Sequence, residues 1–373
     1  MRHIHSDKLE RWVGPDIHII SNAMRDWYGP PVAVANCNGP VYAHAGGDFT
    51  GVMKGGDFMS LTEYHYERTK QAAKRIWNKA GKIGKGQVNA GFASLSDLIS
   101  EATVGAKRRE FIFFKSGSTG VINATNDLWY AAGQPAAGAS AGAAPGGTAF
   151  TSSSTGAFGF ANPTGGDTQH FVNGYAGGSI APNTLLMYDR LFGVTKTMNS
   201  TATEAVTGSL TRYTNTTSGN ADSADGNFLF VVARTALPAT GHNWTTCLYT
   251  NSAGTTSQTL PSLTGNSSNI INRLDHPLGQ WFAPLAANDK GILALTQMQC
   301  SAAVASGAID FVIGHPLAWW PVITANTMYI QDGLNSAFNL ARVFDSAAIS
   351  FLEVTKSSAT AANWTGMFLT VAG

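Results

Sequence analysis

Past residue 168 the apolar residues of this chain come in short runs, each of strand length and each closed by Gly, Asn, Ser or Pro. Residues 228–233, 245–250, 291–303, 308–314, 349–354 and 367–372 follow one another with little helical period between them. A chain written this way buries its apolar residues by laying pleated strands face to face. The expected fold is mainly β, with residues 168–373 forming an antiparallel β-sandwich or jelly-roll-like domain. Two segments, 184–192 and 332–343, carry a helix-like pattern instead. Val304-Ala305-Ser306-Gly307 reads as a hairpin turn between two strands. Phe368, Thr370 and Ala372 alternate with Leu369 and Val371, which places the C-terminal strand inside a sheet.

Charge divides the chain in two. Residues 1–115 carry 16 Lys+Arg against 11 Asp+Glu, and the rest only 8 against 12. An ordinary domain is about a quarter charged, whereas only 13% of this chain is. Its surface must be covered by small hydroxyl, amide and glycine positions, which suits extended structure packed against other copies better than a metabolic enzyme. A net charge of +1 gives no global drive toward nucleic acid or anionic membranes. No apolar stretch is long enough to span a bilayer, and residues 1–10 lack the apolar core of a secretory leader. The six Asn-x-Ser/Thr triplets, at Asn123, Asn199, Asn215, Asn243, Asn266 and Asn363, therefore follow from composition rather than marking glycans. Cys37, Cys247 and Cys300 lack any CxxC spacing and read as buried thiols.

At 373 residues the length suits two domains. Residues 1–58 mix Gly-Pro turns with short apolar runs and read as an extended arm. Within them Gly46-Gly47-Asp48-Phe49 is echoed by Gly55-Gly56-Asp57-Phe58, two turns that bracket a short strand around residues 50–54. Residues 59–130 read as a small α+β region. Ser60-Leu61-Thr62-Glu63 is a capping box for a helix over 61–79 that stops at Gly81. A second helix is expected over 94–102, with Leu95, Leu98 and Ile99 inward, followed by a strand over 110–115. From Ala131 to Gly147 every residue except Gln134 is Ala, Gly, Ser or Pro. Residues 131–167 thus read as a linker or long surface loop.

The search for catalytic residues finds little. Gly138-Ala139-Ser140-Ala141-Gly142 matches the nucleophile-elbow pattern but lacks the strand before it and the helix after it. His276-Pro277-Leu278 and His315-Pro316-Leu317 repeat a tripeptide in which Pro holds the preceding His extended at a strand end. Asn220-Ala-Asp222-Ser-Ala-Asp225-Gly226 misses the EF-hand spacing and reads as an acidic turn. No metal or cofactor is expected. Hydrolysis of a host polymer would need paired carboxylates, with Asp275 and Asp310 the residues to test. A sugar-binding appendage would need exposed rings from among Trp244, Trp281, Trp319, Trp320 and Trp364.

The sharpest surface feature is basic: Arg68, Lys70, Lys74, Arg75 and Lys79 on the first helix, then Lys107, Arg108 and Arg109. A dedicated nucleic-acid domain would carry a larger excess than this region's, so direct nucleic-acid contact is not expected. The cluster reads as a patch that docks on an acidic neighbouring subunit, or as a solvated helix face.

Three segments resemble those of uncharacterised structural proteins of tailed bacteriophages. They are Asp127-Leu-Trp-Tyr130, residues 185–208 (LLMYDRLFGVTKTMNSTATEAVTG) and residues 291–316 (GILALTQMQCSAAVASGAIDFVIGHP). The resemblance implies a virion component that assembles through its scaffold and carries no active-site residues. The long charged spine helix of a major capsid protein is absent, so it implies an accessory, cement-like decoration protein on the head. Its expected partners are the major capsid protein, other virion proteins and further copies of itself, a trimer following from capsid symmetry. The other reading is a tail- or fibre-associated receptor- or carbohydrate-binding protein.

Overall fold

The computed structural model describes residues 41–43, 51–53, 92, 94–119, 121–159, 163, 167–334, 340–354 and 357–373. The chain divides into two compact units, Met1–Asn78 and Lys79–Gly373. In the first, Val41–Ala43 pairs antiparallel with Gly51–Met53, which places a strand between the two Gly-Gly-Asp segments as expected. The helix over 61–79 lies outside the described residues.

The second unit is mainly β and antiparallel. It opens with helix α1 (Leu95–Val104) and strand β1 (Arg108–Ser116). The long strands that follow are β2 (Gln169–Gly178), β3 (Asn183–Thr197), β4 (Phe228–Thr235), β5 (Leu248–Asn251) and β6 (Ile292–Met298). After these come β7 (Ala308–Val322), β8 (Tyr329–Asp332), β9 (Ile349–Val354) and β10 (Asn363–Ala372). A seven-stranded sheet runs in the order β4-β7-β3-β9 and ends on Asn126–Asp127. A six-stranded sheet runs β8-β2-β10-β1 and ends on Gly133–Gln134. In a four-stranded sheet β6 and β5 lie at the centre.

Two cores share one sheet. Leu185 and Met187 of β3, Trp320 and Val322 of β7 and Phe351 of β9 face Phe113, Phe171, Trp364 and Phe368 of the six-stranded sheet. Farther along the same strands, Leu191, Val194, Ile309, Phe311 and Ile313 face Tyr249, Ile292, Leu295 and Met298 of the smaller sheet. β3 and β7, each 15 residues long, cross from one core to the other. Two bulges mark the crossing: Leu191 has no partner between Phe192↔Ile313 and Arg190↔Gly314, and Leu317 none between Pro316↔Tyr188 and Ala318↔Met187. Each bulge shifts the pleat by one residue and re-aims the side chains beyond it. Gly314 serves the crossing because a Cβ there would sit 2.6 Å from the Tyr188 ring.

This geometry corrects several expectations. Residues 184–192 are strand, not helix. β3 is buried on both faces, Leu185 and Met187 into one core and Leu186 and Tyr188 into another, so its apolar run lost the alternation that identifies a strand. Residues 332–343 are strand at both described ends, Asp332 closing β8 and Arg342–Val343 pairing with β2. β7 does not end before His315-Pro316; it runs on to Val322, because the bulge beside Pro316 removes the need for its missing N–H. Residues 304–307 do turn, with Ala305 at φ 68° and Gly307 at φ 98°. They connect two different sheets rather than a hairpin, β6 pairing with β5 and β7 with β3 and β4.

Residues 94–130 are part of the sandwich: β1 pairs along its length with the C-terminal strand β10, which lies inside the sheet as its alternation suggested. The Ala/Gly/Ser-rich stretch is loop stitched to both sheets, Gly133–Gln134 pairing with β1 and both Gly142–Ala143 and Thr148–Ala149 with β3. Helix α1 starts where expected. The Ser94 side chain accepts a hydrogen bond from the Asp97 N–H at 3.1 Å, and Leu98 is buried, but Ile99 is 53% exposed rather than inward. Replacing Ser94 by Ala is expected to cost about 1 kcal/mol, read as a shift of the urea midpoint at unchanged slope.

Candidate interaction surface

Much of the interior's ionisable chemistry is engaged by buried partners, charged or neutral. At the crossing between the cores, Arg190 Nη1 donates to Asp127 Oδ2 at 2.6 Å and to Tyr188 Oη at 3.0 Å. Its guanidinium carbon lies 4.9 Å from the ring centres of both Trp129 and Phe150. Burial is the largest single influence and opposes this charge, but the Asp127 carboxylate together with Tyr188, Tyr130 and Asp310 outweighs it and raises the pKa of Arg190. The neighbouring Asp189 takes a forked pair from Arg212, at 2.6 and 2.8 Å. Glu353 accepts from Asn126 Nδ2 at 2.9 Å and Asn183 Nδ2 at 3.0 Å. Buried charges held by such partners serve structure.

The two carboxylates with a hydrolytic reading lie in the same kind of surroundings. Asp275, fully buried, accepts from Trp244 Nε1 at 2.7 Å, the Asn266 N–H at 2.8 Å and Asn269 Nδ2 at 3.0 Å, with His242 Nε2 2.7 Å away. Burial would raise its pKa; these donors, His242 foremost, hold it below the usual carboxylate value. Asp310, also fully buried, accepts from Thr195 Oγ1 at 2.6 Å and from the Tyr130 hydroxyl. Neither faces solvent, and the donors above occupy their oxygens.

The two His-Pro-Leu repeats serve separately. His276 Nε2 accepts the Val231 N–H at 2.8 Å. His315 stacks on Tyr213, ring centres 3.8 Å apart, with Nδ1 2.9 Å from Asn227 Oδ1. Asp225 takes the hydroxyls of Ser218 and Ser252 at 2.6 and 2.7 Å, as expected of an acidic turn. Among the described residues no group of three or more His, Cys, Asp or Glu side chains could hold a metal ion, and no helix is long and apolar enough to cross a membrane. Ser140 lies in loop beside Trp129, whose Nε1 donates to the Ala139 carbonyl at 2.7 Å. Cys247 and Cys300 are buried free thiols; burial pushes the Cys247 thiol up to about 11, where it is unreactive. Cys37 lies outside the described residues.

Of the basic cluster, Arg68, Lys70, Lys74, Arg75 and Lys79 lie outside the described residues. Lys107 Nζ sits 2.7 Å from Asp167, and that hydrogen bond raises its pKa. Arg108 pairs with Glu110 and donates to the Thr103 carbonyl at 2.9 Å. Arg109 donates to the Ala106 and Arg108 carbonyls at 3.4 and 3.3 Å. All three stand together where α1 meets β1, partly or largely exposed and each already engaged within the chain. Among the five tryptophans, Trp244, Trp320 and Trp364 are buried. Only Trp281 and Trp319 remain partly exposed, and they pack on each other with ring centres 5.1 Å apart.

What the interior does not consume is apolar surface on the outer face of the six-stranded sheet. Ile330 of β8, Tyr175 of β2, Met367 of β10 and Ile112 of β1 are direct cross-strand neighbours. They form one row across four strands, 66%, 37%, 36% and 69% exposed. Phe114, two residues on from Ile112, is 45% exposed, and Met328 is 50% exposed. Helix α1 covers the other end of this face, where Leu98 packs on Val172, Leu369 and Val371. Sequence reasoning missed the row, although residues 111–114, Phe-Ile-Phe-Phe, are apolar at both parities, the mark of a strand with two apolar faces. Comparison with family models, with curated proteins and with solved structures finds no match for this chain.

Proposed function

We propose that this chain is a structural protein of a bacteriophage particle, a capsid accessory that decorates or cements the shell and works through subunit interfaces rather than by turnover. One observation carries the reading: among the described residues the buried Asp127–Arg190 and Asp189–Arg212 pairs are engaged in the interior, while an apolar row that no described residue covers crosses four strands of one sheet. Apolar patches of several hundred Å2 mark interaction surfaces. The resemblance of residues 127–130, 185–208 and 291–316 to phage structural proteins supplies the particle. The basic residues Arg68, Lys70, Lys74, Arg75, Lys79 and Lys107–Arg109 anchor the protein to an acidic neighbour, with the β-sandwich facing outward.

Reversing Arg68, Lys70, Lys74, Arg75 and Lys79 to Glu together is expected to abolish decoration of purified shells, scored by mass spectrometry and imaging. Normal decoration by that variant would remove the anchoring role. Copies on the order of hundreds per particle mean the head, and a dozen or so the tail; absence from particles would end the reading. Among the described residues, the tail-associated, sugar-binding alternative rests on the Trp281–Trp319 pair. It predicts glycan-array binding that disappears in Trp319→Ala.

A further inference from the structure

We propose that the uncovered half of the six-stranded sheet binds the same half of a second copy of this chain, about a two-fold axis running along the strands. The six apolar side chains Ile112, Phe114, Tyr175, Met328, Ile330 and Met367 present roughly 600 Å2, at ~200 Å2 for a fully exposed large side chain. Each partner of a stable interface contributes about 800 Å2. The face therefore supplies most of what a dimer needs, and a rim supplies the rest.

The order of the row favours an identical partner. Read from either edge it begins and ends on isoleucine, with Tyr175 and Met367 between. Rotation about the proposed axis lays Ile112 of one copy over Ile330 of the other, and Tyr175 over Met367, an aromatic–thioether contact. Every contact then occurs twice, as an isologous interface requires. The next row is Asp332, Asn173, Leu369 and Glu110, so the same rotation sets Asp332 of one copy opposite Glu110 of the other, a like-charge contact at the rim. Arg108, already paired with Glu110, offsets part of that repulsion, and the apolar row carries the contact. Helix α1 limits the contact to the uncovered half, because it already fills the other end of the face.

The inference rests on reading the chain as an interface protein, and its failure is separable from the failure of that reading. The full chain is expected to sediment as a dimer with a dissociation constant of about 10 μM or tighter. Ile112→Lys and Ile330→Lys, at exposed positions, should each weaken the dimer by at least about 30-fold with unchanged circular dichroism and melting temperature. Ile271→Lys, exposed but away from this sheet, should not. In a Cys37→Ser background, the double variant Ile112→Cys/Ile330→Cys should form covalent dimers on oxidation, whereas either single cysteine should not. The two positions lie about 14 Å apart within one copy, too far for an internal disulfide.

A monomer at about 100 μM overturns the inference, whether residues 1–91 of the same chain or a different protein covers the face. So does a dimer that both lysine variants leave intact. A monomer that still decorates shells would sink this dimer and spare the functional reading. A dimer absent from particles would do the reverse.

Discussion

Replacing Asp127 by Ala is expected to cost about 3–5 kcal/mol in unfolding free energy, the largest single effect on this chain. The change strands the guanidinium of Arg190 where no water reaches it, since both partners are fully buried. Tyr188, which donates to Asp127 at 2.9 Å, and the Trp129 N–H, which donates at 3.1 Å, lose their acceptor as well. Two nitrogens of Arg190, Nε and Nη2, make no hydrogen bond and lie among the rings of Trp129, Tyr130 and Phe150, so an aromatic cage takes the place of further acceptors. Arg190→Met, which keeps the volume and removes the charge, should cost a similar amount by leaving Asp127 unpaired. The double variant should cost clearly less than the two single changes together, because neither charge is then left alone. Urea unfolding of the four proteins measures this cycle. A loss below about 1 kcal/mol for either single change would show that water enters the site.

Acid will weaken the fold well above the range in which carboxylates titrate. His276 is buried beside β4, where its Nε2 must stay unprotonated to accept the Val231 N–H. Burial pulls its pKa down to about 4, against the attraction of Asp275. An unfolded histidine titrates near 6.5, so the unfolded chain binds this proton first. The stability tied to neutral His276 is complete above pH ~6.5 and falls to its floor near pH ~4, a loss of about 3 kcal/mol. His170 and His315, also lowered by burial, act in the same direction. Two neighbours act outside this window. The His242–Asp275 contact raises the pKa of His242, so the stability it brings is already present below pH ~6.5 and is lost on the alkaline side. Asp275 titrates below the ordinary carboxylate value and adds its loss only there. Urea midpoints for the wild type and His276→Asn, taken across pH ~7.5 to ~4.5, test the assignment. The wild type should lose stability faster than the variant, and parallel curves would remove His276 from the account.

The buried charges also explain why the cores can share a sheet. Asp189 and Arg190 stand on β3 between the two bulges, where the strand passes from one core to the next. Paired polar groups occupy that seam. A slip of one residue along β3 would carry both ion pairs away from Asp127 and Arg212, so the network favours a single register.

The amino-acid sequence by itself determined the class of fold and several of its parts. Short apolar runs closed by turn residues are local signals, and they marked a mainly β protein, the limits of β9 at 349–354 and a C-terminal strand lying inside its sheet. The helix expected over 94–102 was legible as well, α1 running Leu95–Val104. Only the tertiary structure decided that residues 183–197 are strand, that β7 continues through Pro316, and that the Ala/Gly/Ser stretch is stitched into both sheets. It alone brought Asp127 to Arg190 across 63 residues, Tyr130 to Asp310 across 180 and Asn126 to Glu353 across 227. The uncovered row was equally out of reach, because its members come from strands at residues 112, 175, 330 and 367. Such groupings arise from the register between distant strands, which burial on both faces sets and which leaves no period in any one stretch of chain.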